Sequence, residues 1–201
     1  VIVTFQKKKK KIVSHTHKVQ LLNTLEEKIE LLSDEGIDHL VVTPFDEAFA
    51  EQSAEGYIKD FLVQRINPHT IIIGYDHRFG KNREGNYLML EQYAETLGFV
   101  VKEISEKVLN EVAVSSTRIR KALLDGDVET ANTLLGYDYF FEGNVIEGNQ
   151  LGRTLGYPTA NIAIKNHEKL IPGNGVYAVK IKIGEDCFKG MINIGFRPTV
   201  D

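Results

Sequence analysis

Three stretches of this sequence combine hydroxyls, cations, glycines and carboxamides at spacings that suit phosphate chemistry. The sharpest is Ser115-Ser116-Thr117-Arg118-Ile119-Arg120, leading into Lys121-Ala122-Leu123-Leu124. A Ser or Thr before an apolar helical run is an N-cap, and helix capping alone would account for the hydroxyls. It would not account for Arg118, Arg120 and Lys121. The positive end of the helix dipole disfavours cations in the first turn, by a few tenths of a kcal/mol each. An anion bound at this helix start resolves the conflict, because hydroxyls, free backbone amides and guanidinium groups would all converge on phosphate.

The second stretch is Gly74-Tyr75-Asp76-His77-Arg78-Phe79-Gly80-Lys81-Asn82-Arg83-Glu84-Gly85. It follows Thr70-Ile71-Ile72-Ile73 directly, a run that reads as a buried strand. Glycines let backbone approach a ligand closely, and Asp76 offers a carboxylate for a ribose hydroxyl, a metal or an amine. A solvated, turn-rich surface loop would have the same composition; its position after the strand favours a ligand. The third stretch runs from Gly143 to Asn161 and includes Gly148, Gly152-Arg153, Gly156 and Thr159-Ala160-Asn161. Its glycine turns could wrap phosphates with backbone amides. Thr159 and Asn161 carry neutral oxygens of the kind that complete a Mg²⁺ shell beside nucleotide phosphates, and in a strand they would share one face. Glycines at the corners of a small barrel are the plainer account of any one of these positions.

Other candidates carry less. His15 and His17 have no Cys or acidic partner at metal-ligand spacing and read as solvated histidines. Cys187 falls in a predicted hairpin without an activating charge, and is expected to be buried filler. The run Lys7 to Lys11 reads as a mobile, solvated loop.

The elements that must position these groups can be read from pattern. The 201 residues leave room for two domains; 42% are hydrophobic and 26% charged, an ordinary globular mixture. A net charge of −4 argues against a general nucleic-acid binder. A single cysteine excludes an internal disulfide and fits a reducing compartment. No apolar run approaches the ~20 residues of a membrane span, and with no signal peptide the expected location is the cytoplasm. Val1–Phe5 reads as a strand. Thr24-Leu25-Glu26-Glu27 reads as a capping box, followed by Leu25, Ile29 and Leu32 at helical spacing and Gly36 as the stop. His39–Thr43 is a strand ended by Pro44. Ser53 caps a helix with Tyr57, Ile58, Phe61 and Leu62 inward, and a third helix ends at Leu97-Gly98 before a strand over 99–104. This alternation predicts an α/β doubly wound, mainly parallel sheet, with ligands at the carboxyl ends of its strands. Beyond Tyr139, short strands at 141–146, 176–183 and 188–194 between glycine turns predict part of an antiparallel β-barrel. The boundary is expected at 137/138.

Together the three stretches resemble the bifunctional bacterial riboflavin kinase/FMN adenylyltransferase family, also called FAD synthetase. The family's Gly-x-Asp-Phe-Arg-Phe-Gly loop corresponds to Gly74–Gly80, and its Ser-Ser-Thr-x-Ile-Arg helix start to Ser115–Arg120. Its Gly-Arg-x-Leu-Gly-x-Pro-Thr-Ala-Asn segment corresponds to Gly152–Asn161. Two later kinase segments correspond to Pro172–Tyr177 and Asn193–Thr199. The resemblance covers essentially the whole chain; the Pro-Thr-Ala-Asn segment and the order of all five are its specific part. It implies a nucleotidyltransferase-type sheet over 1–137 and a riboflavin kinase barrel over 138–201. It implies that Ser116, Thr117 and Arg120 hold the ATP triphosphate during adenylyl transfer, and that Gly74, Asp76, Phe79 and Gly80 lie beside nucleotide or flavin. In the kinase part Gly152, Arg153 and Gly156 would bind nucleotide, Thr159 and Asn161 would engage Mg²⁺–ATP, and Asn193 and Arg197 would lie near the flavin. The substrates implied are ATP, riboflavin and FMN, with neither nucleic acid nor membrane as a partner.

The sequence also departs from the family. The His-x-Gly-His signature would precede Val1, a Pro-His-Pro segment is replaced by Gln6 and lysines, and the kinase's catalytic glutamate would follow Asp201. The chain therefore reads as a fragment. Two rivals stay open: another small-molecule nucleotidyltransferase, against which the Pro-Thr-Ala-Asn segment speaks, and a flavin- or nucleotide-binding module without catalysis.

Overall fold

A computed structural model describes residues 1–7, 20–106, 115–148 and 156–195. The described residues form a mixed α/β protein that packs into two units. Among the described residues, one unit takes 1–7 and 32–106, the other 20–31, 115–148 and 156–195. The residues 20–31 and 115–136 thus pack with the glycine-rich carboxyl-terminal part.

In the first unit β1 (Ile2–Lys7) pairs in parallel with β2 (Leu40–Phe45), Ile2 opposite Leu40 and Phe5 opposite Thr43. The strand over 40–45 runs through Pro44, which the sequence pattern took as its end. Proline lacks an amide donor but tolerates the unpaired side of a strand, and here it sits opposite Gln6. After the short α2 (Glu47–Ala50), Ser53 caps α3 (Ala54–Gly56) by accepting from the Gly56 N–H at 3.1 Å. This helix continues as a π-helical segment, Tyr57–Ile66, that ends where Asn67 turns left-handed at φ 51°. Tyr57, Ile58, Phe61 and Leu62 are buried, as their spacing predicts. β3 (Thr70–Gly74) pairs in parallel with β4 (Val100–Ile104) across α4 (Tyr87–Leu97), whose start is capped by Asn86 and whose end is closed by Gly98 at φ 76°. β3 is not buried on both faces: Ile72 is 62% exposed while Ile71 and Ile73 turn toward the core. Alternation along a strand sends neighbours to opposite faces, and only one face is packed.

In the second unit α1 (Leu25–Asp34) opens on the predicted capping box. The Thr24 N–H donates to Glu27 Oε2 at 2.8 Å, and the Glu27 N–H donates to Thr24 Oγ1 at 3.2 Å. Its inner face differs from the apolar stripe expected, for Ile29 is exposed and Glu27 is the buried residue. α5 (Ser116–Leu124) and α6 (Val128–Leu135) bury Ile119, Ala122, Leu123 and Ala131 against Leu170. β5 (Gly143–Ile146) pairs antiparallel with β6 (Asn161–Ile164), a strand the sequence pattern did not mark. β7 (Gly175–Ile183) and β8 (Asp186–Ile194) form a long hairpin closed by Gly184-Glu185. Gly184 takes φ 61° at the first loop position, where a tight hairpin turn favours glycine. Cys187, expected to be buried, is an exposed free thiol opposite Lys182, because the hairpin leaves that face open. Among the described residues no helix is long and apolar enough to cross a membrane.

Candidate functional site

The loop after β3 is held from inside the first unit. Phe79 points into the core at 7% exposure, its ring 5.0 Å from Tyr57. Phe79 and Gly85 exchange backbone bonds of 3.2 and 2.9 Å, so 79–85 closes into a small ring of chain. A side chain at Gly85 would overlap the Phe79 ring, and Gly80 takes φ 73° with its missing Cβ only 2.6 Å from Ala54 Cα. Both glycines are therefore required by close approach. The Lys81 N–H donates to Gln52 O at 2.7 Å, and the Glu84 carboxylate accepts from the Ala54 N–H at 2.9 Å, which ties the loop to the start of α3. Asn82 and Arg83 both take left-handed backbone, φ 56° and 60°. This scaffold leaves Asp76, His77 and Arg78 exposed just past Gly74, at the carboxyl end of β3. The His77 ring lies 6.0 Å from Phe79. Partial burial holds its pKa below the usual histidine value, helped by Arg78 and Arg83 and opposed by Asp76.

An aromatic series continues from this loop: Phe79, Tyr57, Phe49, then Phe5 and Phe45, each ring within 6.0 Å of the next. Burial pushes the Tyr57 phenol up to about 12. Phe5 and Phe45 end the series half exposed, on β1 and β2.

The Ser-Ser-Thr motif begins α5 in the second unit. Ser115 is the N-cap; its Oγ accepts from the Thr117 N–H at 3.2 Å. Ser116, Thr117 and Arg118 are exposed. Lys121 turns along the helix to pair with Asp125 at 2.5 Å, so one of the three crowded cations is answered locally. Arg120 is half buried, and its Nε donates to Gln20 O at 3.0 Å. What remains at the helix start is a hydroxyl pair with two guanidinium groups near free amides, an arrangement suited to an anion with several oxygens.

On the kinase-like side, Thr159 and Asn161 are exposed, Asn161 being the first residue of β6, opposite Ile146. A Cβ at Gly148 would overlap the Asn161 carboxamide, so that glycine makes room for it. Gly156 turns left-handed at φ 79°. Asn193 is exposed on β8, opposite Val176. Gly152, Arg153 and Arg197, together with His15, His17 and Lys8–Lys11, lie outside the described residues. Among the described residues no group of three or more His, Cys, Asp or Glu gathers. Thr159 and Asn161 carry neutral oxygens, a chemistry that suits a divalent ion held mainly by nucleotide phosphates.

Residues 1–118 match the FAD synthetase family model, and residues 135–201 match that of riboflavin kinase. The chain belongs to the FAD synthetase family. Relatives described as bifunctional riboflavin kinase/FMN adenylyltransferase include one from Haemophilus influenzae, 41% identical over 90% of this chain and 58% of its own length. One from Buchnera aphidicola subsp. Schizaphis graminum is 39% identical over 99% of this chain and 64% of its own. The Escherichia coli K12 protein is 38% identical over 89% and 57%. The chain spans less than two thirds of the length of each of these relatives. A crystal structure described as a macrolide-efflux protein from Streptococcus pneumoniae superposes with a TM-score of 0.79 at 30% identity, covering 98% of this chain and 64% of that one.

One buried polar group of the second unit has little signal in the sequence. Glu27 and Lys169 form an ion pair of 2.7 Å with side chains 2% and 1% exposed. Lys169 Nζ also donates to Leu22 O at 2.6 Å and lies 4.3 Å over the Tyr139 ring. Burial lowers the Lys169 pKa while Glu27 holds it up, and burial raises that of the Tyr139 phenol. Only half of this pair had a local signal: Glu27 showed in the capping box, whereas nothing in His167-Glu168-Lys169-Leu170 marks a buried cation.

Proposed function

We propose that the protein of which this chain is part makes FAD in two ATP-dependent steps. The kinase part, from residue 138 onward, transfers the ATP γ-phosphate to the riboflavin 5′-hydroxyl and gives FMN. The part over 1–137 lets an FMN phosphate oxygen attack the ATP α-phosphorus, forming the new P–O–P bond and releasing pyrophosphate. Both steps proceed by positioning and charge stabilisation, without a covalent enzyme intermediate. The observation that carries this reading is the α5 start, where Ser115 caps the helix while Ser116, Thr117 and Arg118 stay exposed and Arg120 stands beside them. In it, Ser116, Thr117 and Arg120 hold the triphosphate. Asp76 and Gly74 lie beside nucleotide or flavin, with Phe79 and Gly80 fixing the loop that presents them. Gly152, Arg153 and Gly156 bind nucleotide in the kinase part, Thr159 and Asn161 hold Mg²⁺, and Asn193 and Arg197 border the flavin. Mg²⁺, when bound, neutralises phosphate charge.

We infer further that the two parallel pairs belong to one doubly wound nucleotidyltransferase-type sheet, and the antiparallel pairs to part of a barrel. Backbone NOEs linking β1 to β3 or β4 would support the single sheet, and a full assignment without them would remove it. The work is cytoplasmic, on small molecules.

The test is a product assay on the full-length protein with riboflavin, ATP and Mg²⁺, separating the flavins by chromatography. FMN and then FAD are expected, and Arg120→Ala is expected to slow FAD formation about a hundredfold, still measurably, while FMN forms as before. Absence of both products would overturn the reading in favour of a binding module.

A further inference from the structure

Arg120 reaches the rest of the second unit through a carbonyl, and that carbonyl sits at the end of a clamped strip of chain. The strip is 20–24. Its backbone is bracketed by two bonds, Leu21 N–H to Glu168 O at 2.7 Å and Leu170 N–H to Leu21 O at 2.8 Å. Between these two partners stands Lys169, whose Nζ donates to Leu22 O at 2.6 Å and to Glu27 Oε2 at 2.7 Å. The same carboxylate oxygen accepts from the Thr24 N–H. The Tyr139 hydroxyl donates to Leu170 O at 2.7 Å, its ring lies under the ammonium group, and Arg120 is near enough to pull its pKa down. One residue before the clamp, Gln20 O accepts from Arg120 Nε at 3.0 Å.

We propose that Lys169, within the stretch matched to riboflavin kinase, is a positioning residue for adenylyl transfer, acting on Arg120 through Leu22 and Gln20. The proposal rests on the reading of the α5 start as the triphosphate site. A buried ion pair is a poor device for stability, since an apolar pair of similar volume often does as well. It does something an apolar pair does not: its hydrogen bond to Leu22 O fixes where the strip's carbonyls point. The Gln20 bond uses one of the five guanidinium N–H donors and sets the plane of the group, leaving the others for phosphate. Supporting residues that lock a functional side chain's orientation are what hold such sites to geometry.

A double-mutant cycle on the full-length protein tests this, reading FMN-to-FAD conversion at varied ATP. Lys169→Met is expected to lower kcat/KM for adenylyl transfer about tenfold, yet by less than about twofold in an Arg120→Ala background, the coupling expected of linked groups. The paired variant Glu27→Leu/Lys169→Met removes both charges and keeps the unit folded. It is expected to show the same loss, while riboflavin phosphorylation by the same preparation changes less than about twofold. Lys169→Arg restores activity in part. Equal losses from Lys169→Met in both backgrounds, or full adenylyl transfer by the paired variant, would overturn the positioning role alone. Full adenylyl transfer in Arg120→Ala would withdraw the functional reading, and this role with it.

Discussion

The loop over 74–86 and the start of α5 both present polar side chains to solvent, but they are held by opposite means. The loop is fixed by apolar packing and close approach: Phe79 in the core, Gly80 against Ala54, Gly85 against the Phe79 ring. Every one of these contacts lies within about one turn of chain or one neighbouring element. At the α5 start Ser115 caps the helix locally, but Arg120 is held from far away, by its bond to Gln20 O at the end of a strip that Lys169 ties to Glu27 across 142 residues. The first arrangement rests on shape, and it fails wherever a contact is lost or crowded. The second aims a guanidinium group with hydrogen bonds, at the cost of desolvating a carboxylate and an ammonium.

The difference can be broken from either side, and the largest effects come first. Truncating one member of the buried pair, Glu27→Ala, strands a buried ammonium and is expected to destabilise the second unit by about 3–5 kcal/mol. Phe79→Ala should cost about the same in the first unit, about 3–5 kcal/mol, by opening a cavity beside Tyr57. Urea unfolding of both variants checks this, and the paired Glu27→Leu/Lys169→Met change separates the mechanisms. It should recover most of the Glu27→Ala loss, whereas no polar substitution at Tyr57 should recover Phe79→Ala. Next, Gly80→Ala is expected to cost at least about 1–3 kcal/mol, because φ 73° with ψ 174° is backbone open essentially to glycine alone, with the Ala54 clash in addition. Ser115→Ala should remove about 1 kcal/mol of helix capping, read as a small fall in Tm. The smallest effect concerns His77. Its pKa in the fold lies below the ordinary 6.5, so protonation favours the unfolded chain. The stability it contributes is present above pH 6.5 and declines as pH falls below it. His77→Phe should flatten that part of the stability–pH curve, measured by chemical unfolding at several pH values.

How much of this was legible follows from the same contrast. The capping box at Thr24–Glu27, the caps at Ser53 and Ser115 and the glycine stop at Gly98 are short-range grammar, and the structure carries each of them. The four inward residues of the Tyr57–Leu62 stretch were equally plain from spacing. Pro44 was misjudged because a strand with one free side tolerates a missing donor, and pattern alone does not say which side is free. Cys187 was misjudged because its burial depends on what packs against the hairpin, not on its neighbours in sequence. The loop glycines read from sequence as room for a ligand, but at positions 80 and 85 the structure fills that room with Ala54 and the Phe79 ring. The anchoring of Arg120 was not legible, since Gln20 has no motif and Lys169 looks like any surface lysine until the fold buries it.

The 142 residues between Glu27 and Lys169 also set a schedule. On a ribosome adding roughly 5–20 residues per second, Glu27 is incorporated about 7–28 s before Lys169. During that interval the carboxylate's partner is Thr24, three residues away, and α1 can form as an ordinary capped helix in water. The nascent chain therefore carries an ionised group destined for the interior through most of its own synthesis. Until Lys169 is added, the position that Glu27 takes in the fold has no cation to answer it.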